Sequence, residues 1–526
     1  MSNISANISL NKLDKVCERG FFILSKDSNV ELPEYVKAWK KVDIFNFTFY
    51  IHPRQTMFYK TESSDAYFLI GHAYNPFTNI IFEEEILNEW SIADKSSKEE
   101  STDYINSLTG LFLMGKITDK QISVFLDCAG MTSGYYGVVN GNILISSHTV
   151  IFAELFGLNV STYVKKLLKY KLYPLYGSFL PGDITPYDDV YRIVPNTEIT
   201  ININDLKTRI NRFYPNKAIT YITSEDEYKE QLKKIADVFK NTMRLISEKW
   251  SRPAISLTGG MDSKTTLASA NGIYDKFLYF SYVTSKAEKI DADAAKSICE
   301  AIEVEHKTYN ISPIPSEYLD FNTTKTILQY NMDYIGRNNT NDVCKREYFS
   351  NINDFDVEIK SWVSEIARAN YYKKFGKKRM PKNITPRRCS CMYKIFLHNR
   401  NLLRDTDRIF AKYISKTNFK EHVFNFDWSD LFLWEIRYGS WGGLVITSEH
   451  KYSFDITIPY NNRKLLELML AVPLDKRRKD ILHNDLIRLM NLKIYETGIN
   501  VINLNETKFR EFCEKCYFNV NTHLPF

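Results

Sequence analysis

Between residues 253 and 311 strand-like apolar runs alternate with helical stretches, and this rhythm limits the possible fold more than any other feature. PAISL (253–257) reads as a buried strand, KTTLASA as a helix, and FLYFSYV (277–283) as a second strand. Residues 289–302 read as another helix and VEHKTYNI (304–311) as a third strand. A β-α-β-α-β order predicts a parallel sheet with right-handed crossovers. The first strand-to-helix turn is Leu257-Thr258-Gly259-Gly260-Met261-Asp262-Ser263-Lys264. Two glycines there let the backbone approach an anion, and the helix start presents unpaired N–H groups to it. Thr258 and Ser263 add hydroxyl donors, and Asp262 offers a carboxylate to Mg²⁺. The spacing is neither the Walker pattern nor that of dinucleotide folds. The plain alternative is a glycine turn that only closes a βα unit.

The first 215 residues have another texture. FFILS (21–25), FNFTFYIH (45–52), AYFLIGHAY (66–74), LTGLFLMGKI (108–117), ISVFLD (122–127) and NILISS (142–147) read as short strands. MTSGYYG and VVNGN supply turns between hairpins. Residues 150–170 have helical spacing, and ITININ (199–204) returns to strand. An antiparallel, β-rich domain with a few helices is expected over 1–215. A second domain over 216–526 opens with a long amphipathic helix at 224–250, started by a serine and acidic residues. From about residue 315 helices dominate.

At 526 residues the chain can bury two or more cores. Its 44% hydrophobic and 25% charged content is that of a globular protein, and the net charge of +6 is too small to argue for nucleic acid. The start lacks the order of a signal peptide, and no apolar run of about 18 residues predicts a membrane span. Eight cysteines are too sparse for a disulfide scaffold and fit a reducing compartment. A soluble cytoplasmic protein, without nucleic-acid or membrane partners, is expected.

LTGGMDSK resembles the S-G-G-x-D-S pyrophosphate loop of the N-type ATP pyrophosphatases, with Thr258 in place of the serine. Asp291 and Asp293 before the helix AAKSICEAI, and then His306, follow in the order found in asparagine synthetases. LTGLF (108–112), LDCAGMTSGYYG (126–137) and PGDITPYDDVYRIVPNTEI (181–199) resemble segments of the class II glutaminase domain of that family. DITIPYNNRKLLELMLAVP (455–473) resembles a helix of its synthetase domain, and Lys479 falls where the family has a lysine reaching the nucleotide phosphates. The resemblance, which covers nearly the whole chain, is to the asparagine-synthetase-like family. It implies an α+β, Ntn-hydrolase-like sandwich followed by an α/β domain of the adenine nucleotide α-hydrolase type. It further implies binding of ATP and Mg²⁺ and adenylation of a carboxylate for attack by an amine. Phosphates would lie on Thr258, Gly259, Gly260, Asp262 and Ser263, with Mg²⁺ on Asp262. Adenine would lie near Leu257 and the second strand, at Tyr282. Lys479 would stabilise the transition state. The partners implied are a small-molecule or peptide carboxylate, an amine donor, and a second copy of the chain in a homodimer.

The pattern breaks in two places. Residue 2 is serine where the glutaminases expose a cysteine, the first cysteine is the internal Cys17, and the R-G-P-D motif is missing. The N-terminal domain is therefore expected to be a relic that packs against the synthetase domain, with Ser2 a lesser candidate nucleophile. The amine then comes from elsewhere, as in the β-lactam synthetases and lasso-peptide cyclases. Secondly, the acidic S-G-E-G-[AS]-D-E loop is replaced by Glu358-Ile359-Lys360-Ser361-Trp362-Val363-Ser364-Glu365-Ile366-Ala367-Arg368, where only Glu365 survives alignment. Ser361 is a candidate phosphate contact, and Glu365 and Arg368 candidates for orienting substrate or metal. Against these stands a plain helix over 364–376, and for the whole chain a non-catalytic scaffold.

Other patterns weigh less. KKFGKKRMPKNITPRR (373–388) holds eight basic residues, and reads as a solvated loop or as a loop that meets an anionic substrate. Cys389-x-Cys391 with Cys513-x-x-Cys516 is a minor zinc candidate against buried helical cysteines. Trp428, Trp434 and Trp441 are expected in the helical core, with one of them a candidate lining of a substrate pocket.

Overall fold

The computed structural model describes residues 4, 8, 10–336, 338–376, 380–501 and 508–523. The strands of the first half are β1 (Phe21–Ser25), β2 (Lys40–Ile44), β3 (Phe47–Ile51), β4 (Met57–Thr61), β5 (Ala66–Tyr74) and β6 (Thr109–Ile117). They continue as β7 (Gln121–Leu126), β8 (Tyr135–Val139), β9 (Asn142–Ser146), β10 (Val190–Arg192), β11 (Thr197–Asn202) and β12 (Thr208–Arg212). They form two six-stranded antiparallel sheets, ordered β10-β8-β9-β1-β3-β2 and β12-β11-β7-β6-β5-β4. Alternate residues of each, among them Phe21, Ile23, Phe49, Phe68, Val124 and Ile145, bury into one shared core. Helices Glu83–Ser96 and Lys98–Ser107 cover the outer face of the second sheet.

The strands read from sequence are present, with one misreading. YYG was assigned to a turn, yet Tyr135–Val139 is strand β8. Gly137 is there because a Cβ would stand 2.8 Å from the Asp189 carbonyl oxygen beside the paired strand β10. The Asn140-Gly141 turn between β8 and β9 holds both residues at positive φ, as a tight hairpin requires.

Helix Glu225–Lys249 starts with a reciprocal cap between Ser224 and Glu227. It leads into the parallel strands β13 (Pro253–Ser256), β14 (Leu278–Val283) and β15 (His306–Asn310), which the sequence predicted. Two more, β16 (Val357–Ile359) and β17 (Asp455–Thr457), complete a sheet ordered β15-β14-β13-β16-β17. Each has three residues, too few for an alternation to show. After β13 the chain builds outward through β14 and β15, then returns to the other side of β13 with β16. That reversal leaves a crevice at the C-terminal ends of β13 and β16, where open α/β sheets bind ligands.

The two halves meet along a polar and glycine-lined seam. Asp127, at the end of β7, accepts from the Met131 and Thr132 amides, each at 2.8 Å, and so shapes the loop 127–134. Asn461 donates to the Gly110 carbonyl and to Asp127, and Trp434 donates to the Cys128 carbonyl at 2.7 Å. Against this loop lies a ten-residue π-helix, Leu433–Gly442. A Cβ on Gly443 would stand 2.2 Å from the Gly130 oxygen, and one on Gly439 would stand 2.6 Å from Pro195. Arg212 of β12 forks onto Glu435 of the π-helix at 2.5 and 2.8 Å, both side chains being fully buried. Tyr413 and Asn196 also donate to that carboxylate. Among the described residues no helix is long and apolar enough to cross a membrane.

Candidate nucleotide site

A cavity of about 530 Å³ opens at the crevice. Its floor is the glycine turn, one wall is Ser281 and Tyr282 at the end of β14, and the opposite wall is Lys360, Ser361 and Trp362 after β16. The π-helix closes it with Arg437, Tyr438 and Trp441.

The turn is folded onto its own hydroxyls. Ser263 Oγ lies 3.1 Å from Thr258 Oγ1 and donates to the Thr258 carbonyl at 2.8 Å, while the Gly260 amide donates to Thr258 Oγ1 at 3.2 Å. Gly259 has a packing role beyond that expected of it, since a Cβ would stand 2.3 Å from Val501 and 2.9 Å from Ala294. Gly260 stands at the N-cap of helix Met261–Ser269, and among the described residues no side chain bonds to that helix start. Its first amides therefore remain suited to an anion. Asp291 accepts from the Gly259 amide at 3.2 Å and lines the cavity, whereas Asp293 pairs outside it with Lys289. His306 Nε2 stands 2.9 Å from Ser281 Oγ, and burial lowers its pKa to about 4.

Asp262 is the most constrained group. Its Oδ2 accepts from Arg368 at 2.6 Å, and its Oδ1 is buried without a hydrogen-bond partner among the described residues, 3.8 Å from His483 Nε2. Burial raises the Asp262 pKa, against the opposing pull of Arg368. Burial likewise lowers that of His483 to about 3, so this ring is neutral at pH 7 and offers the carboxylate no charge. Arg368 forks onward to Asp480, at 2.8 and 3.1 Å, and Lys373 joins the same carboxylate at 2.6 Å. Among the described residues no group of three His, Cys, Asp or Glu side chains is placed to hold a metal by itself. The free oxygen of Asp262 fits an ion whose other ligands are phosphate oxygens and water, the usual mode for magnesium.

Of the residues singled out in the sequence, Leu257, Thr258, Gly260, Asp262, Ser263, Tyr282, Ser361 and Glu365 all line the cavity, with Gly259 directly beneath. Glu365 accepts from Tyr438 at 3.2 Å, and Ser361 donates to Thr266 at 2.8 Å. Residues 364–376 are not one helix: Ser364–Arg368 is a 3₁₀ turn and Asn370–Phe375 a short α-helix, with Ala369 between them at φ 51°. Val363 before them has φ 77°, a strained conformation for a β-branched residue.

Lys479 is not brought to the cavity. It is exposed at the end of the short helix Leu474–Arg478, whose inward face is held by Arg477 on buried Asp430 at 2.8 Å. The next residue, Asp480, turns inward instead, and the cation bonded to Asp262 is Arg368. The sequence also passed over Arg437 and Tyr438. Trp441 is the tryptophan that reaches the cavity, stacked on Trp362 at 5.3 Å, while Trp428 and Trp434 are core residues. The expectation of buried helical cysteines fails in part, since of these four Cys389 and Cys391 are buried and Cys513 and Cys516 are exposed. In the basic stretch Lys373, Lys374, Arg387 and Arg388 are engaged with Asp480, Tyr176, Asp407 and the Asn383 carbonyl. Its residues 377–379, like Ser2, lie outside the described residues.

The end of the sandwich just before β1 is filled around Cys17. Cys17 is fully buried, its amide donates to Asn331 at 2.9 Å, and burial pushes its thiol pKa well up. Buried Glu18 collects Lys15, Arg19 and Arg54, and Arg19 also donates to the Lys451 carbonyl.

No protein-family model and no characterised sequence matches the chain. Solved structures align with it only loosely. They include a glutamine phosphoribosylpyrophosphate amidotransferase from B. subtilis complexed with ADP and GMP, at 10% identity, TM-score 0.23, covering 76% of this chain and 75% of that one. A glutamine-dependent NAD⁺ synthetase from Acinetobacter baumannii, complexed with ADP, aligns at 12% identity and TM-score 0.20, over 40% of this chain and 43% of that one. At such scores the likeness carries no functional argument.

Proposed function

We propose that the chain is an ATP-dependent, AMP-forming amide-bond ligase of the asparagine-synthetase-like kind. It adenylates a substrate carboxylate for attack by an amine that its own N-terminal half does not generate. One observation carries this: an uncapped helix start after a glycine turn faces the crevice of a switch-point sheet, and its first-turn carboxylate keeps a buried oxygen without a partner. The triphosphate would lie on residues 258–263, where Thr258 and Ser263 exchange their mutual bond for bonds to phosphate. Adenine would lie between Leu257 and Tyr282, and Ser361 would contact a phosphate oxygen from the opposite wall.

Asp262 and Glu365 would hold magnesium carried in on the phosphates, which when bound offsets charge on the departing pyrophosphate. Arg368, poised on Asp262, would supply the cationic stabilisation expected of Lys479. Arg437 lines the same space and would orient the carboxylate for in-line attack on the α-phosphorus, while Lys360 beside it is held on buried Glu358 at 2.7 Å. The carboxylate oxygen bonds to that phosphorus as pyrophosphate leaves. The amine then attacks the acyl carbon, and AMP departs as the amide forms. The filled sandwich end favours an amine from solution or from the substrate itself. Amidation of a sugar acid or other metabolite and intramolecular ring closure both satisfy this.

A second reading, a non-catalytic scaffold that keeps the fold, is favoured by one contact: the guanidinium on Asp262 occupies an oxygen that a metal would use. Incubating the full chain with ATP, Mg²⁺ and a panel of carboxylates and amines separates the two. AMP and pyrophosphate that disappear in Asp262→Ala support the ligase. ADP as product would sink the adenylation step. Absence of both turnover and ATP binding would leave the scaffold.

A further inference from the structure

A larger cavity, about 700 Å³, lies at the open end of the sandwich and shares no lining residue with the nucleotide site. The edge strands β10 and β12 of the two sheets form two sides, and helix Arg400–Lys416 from the second half closes the third. Tyr136, Tyr163, Tyr187 and Tyr191 line it. Tyr163 and Tyr187 are anchored, on Thr406 at 2.8 Å and on Asp333 at 2.6 Å, so their rings are fixed in the wall. Tyr136 is 2% exposed, and its buried hydroxyl has no hydrogen-bond partner.

The cavity already contains a caged ammonium. Lys416 Nζ sits 3.4 Å from the centroid of the Tyr191 ring and 5.6 Å from that of Tyr136, and bonds to buried Asp183 at 2.8 Å. Aromatic faces with a carboxylate at the base are the surroundings that bind organic cations. Lys416 reaches in on a four-carbon stem, and among the described residues its charge is paired with Asp183 alone. Two further carboxylates, Asp188 and Asp189, stand exposed at the rim, with Lys412 the other lining cation.

We propose that this cavity is a binding site for a small organic ammonium, such as an aliphatic diamine, which displaces Lys416 from the Tyr191–Asp183 cage. One ammonium of the ligand takes the place of Nζ, the methylene chain lies along the tyrosines, and the second ammonium meets the rim aspartates.

Calorimetric titration of the full chain with 1,4-diaminobutane and 1,5-diaminopentane tests this, with 1,4-butanediol and glutarate as neutral and anionic controls. Diamines should bind and the controls should not. Lys416→Met removes the competing cation and should tighten diamine binding by about tenfold, whereas adding Tyr191→Ala to it should reverse most of that gain. Should Lys416→Met fail to fold, the charge-neutral pair Asp183→Asn with Lys416→Gln gives the converse result, loss of diamine binding. Diamines that bind neither the native chain nor folded Lys416→Met, or that still bind the Asp183→Asn pair, would overturn the proposal. So would glutarate binding that Lys416→Met abolishes.

Discussion

The crevice of the parallel sheet and the filled end of the sandwich are two sites of the same chain in opposite conditions. In the crevice polar groups are held yet left with unused capacity: Asp262 keeps a free oxygen, the helix after Gly260 has no side-chain cap, and Arg437 lines open space. At the sandwich end the same kinds of group are spent on each other. Glu18 carries three cations, Cys17 is sealed, and a Cβ on Gly20 would stand 2.5 Å from the Cys17 carbonyl oxygen. The difference shows why polar residues alone do not mark a site; what marks one is bonding capacity preserved beside accessible volume.

The largest test of that contrast is Asp262→Asn. Pyrophosphate release should fall by about 10²–10³-fold, because a charge facing the reacting phosphates is lost, while the thermal midpoint stays near that of the parent. Next is Glu435→Ala, which strands Arg212 without its counter-charge in a dry seam. Denaturant unfolding should show a loss of about 3–5 kcal/mol, and turnover should fall with it, since the π-helix carries Arg437, Tyr438 and Trp441. Arg368→Ala against Lys479→Ala sharpens the assignment of the cation. The first should reduce turnover by about tenfold or more and the second by less than about twofold, as expected for a cation at the phosphates and one in solvent.

Acid should act on the sealed histidines. His72 and His148 in the first half and His483 in the second have pKa values lowered by burial to about 3, against about 6.5 when unfolded. Between those values the unfolded chain binds protons that the folded chain does not, so stability falls as pH drops below about 6.5, by at most about 1.4 kcal/mol per pH unit for each ring. Thermal midpoints at pH 7.5 and 5.5 measure this. The smallest effect is expected of Cys17→Ala: turnover with every amine tested should be unchanged, and a selective loss with glutamine would show that the filled end still works.

Much of the scaffold was legible because its signals are local. Ala66–Tyr74 and Leu278–Val283 announce themselves by composition, and Ser224 with Glu227 announces a helix start. The floor of the site was legible for the same reason, since residues 257–263 are contiguous. Its roof was not. Arg437, Tyr438 and Trp441 keep ordinary helical spacing, but they lie far along the chain from the glycine turn and belong to no motif, so nothing local ties them to it. Lys479 misled because it closes the short helix Leu474–Arg478 and the chain turns at Asp480, whose φ is 57°, so that the aspartate faces Arg368 and the lysine faces solvent.

The glycine seam between Gly130 and Gly443 has a consequence for the history of such a chain. Main chain rests on main chain there, with no side chain to trim or enlarge, so the contact can be kept or lost but hardly adjusted. The first half thus serves as a mould for the roof of the crevice. Deleting it would bare Trp434 and Glu435 to water, along with Arg463, which donates to Asn196 and to the Leu126 and Asp127 carbonyls, and would free the π-helix to relax.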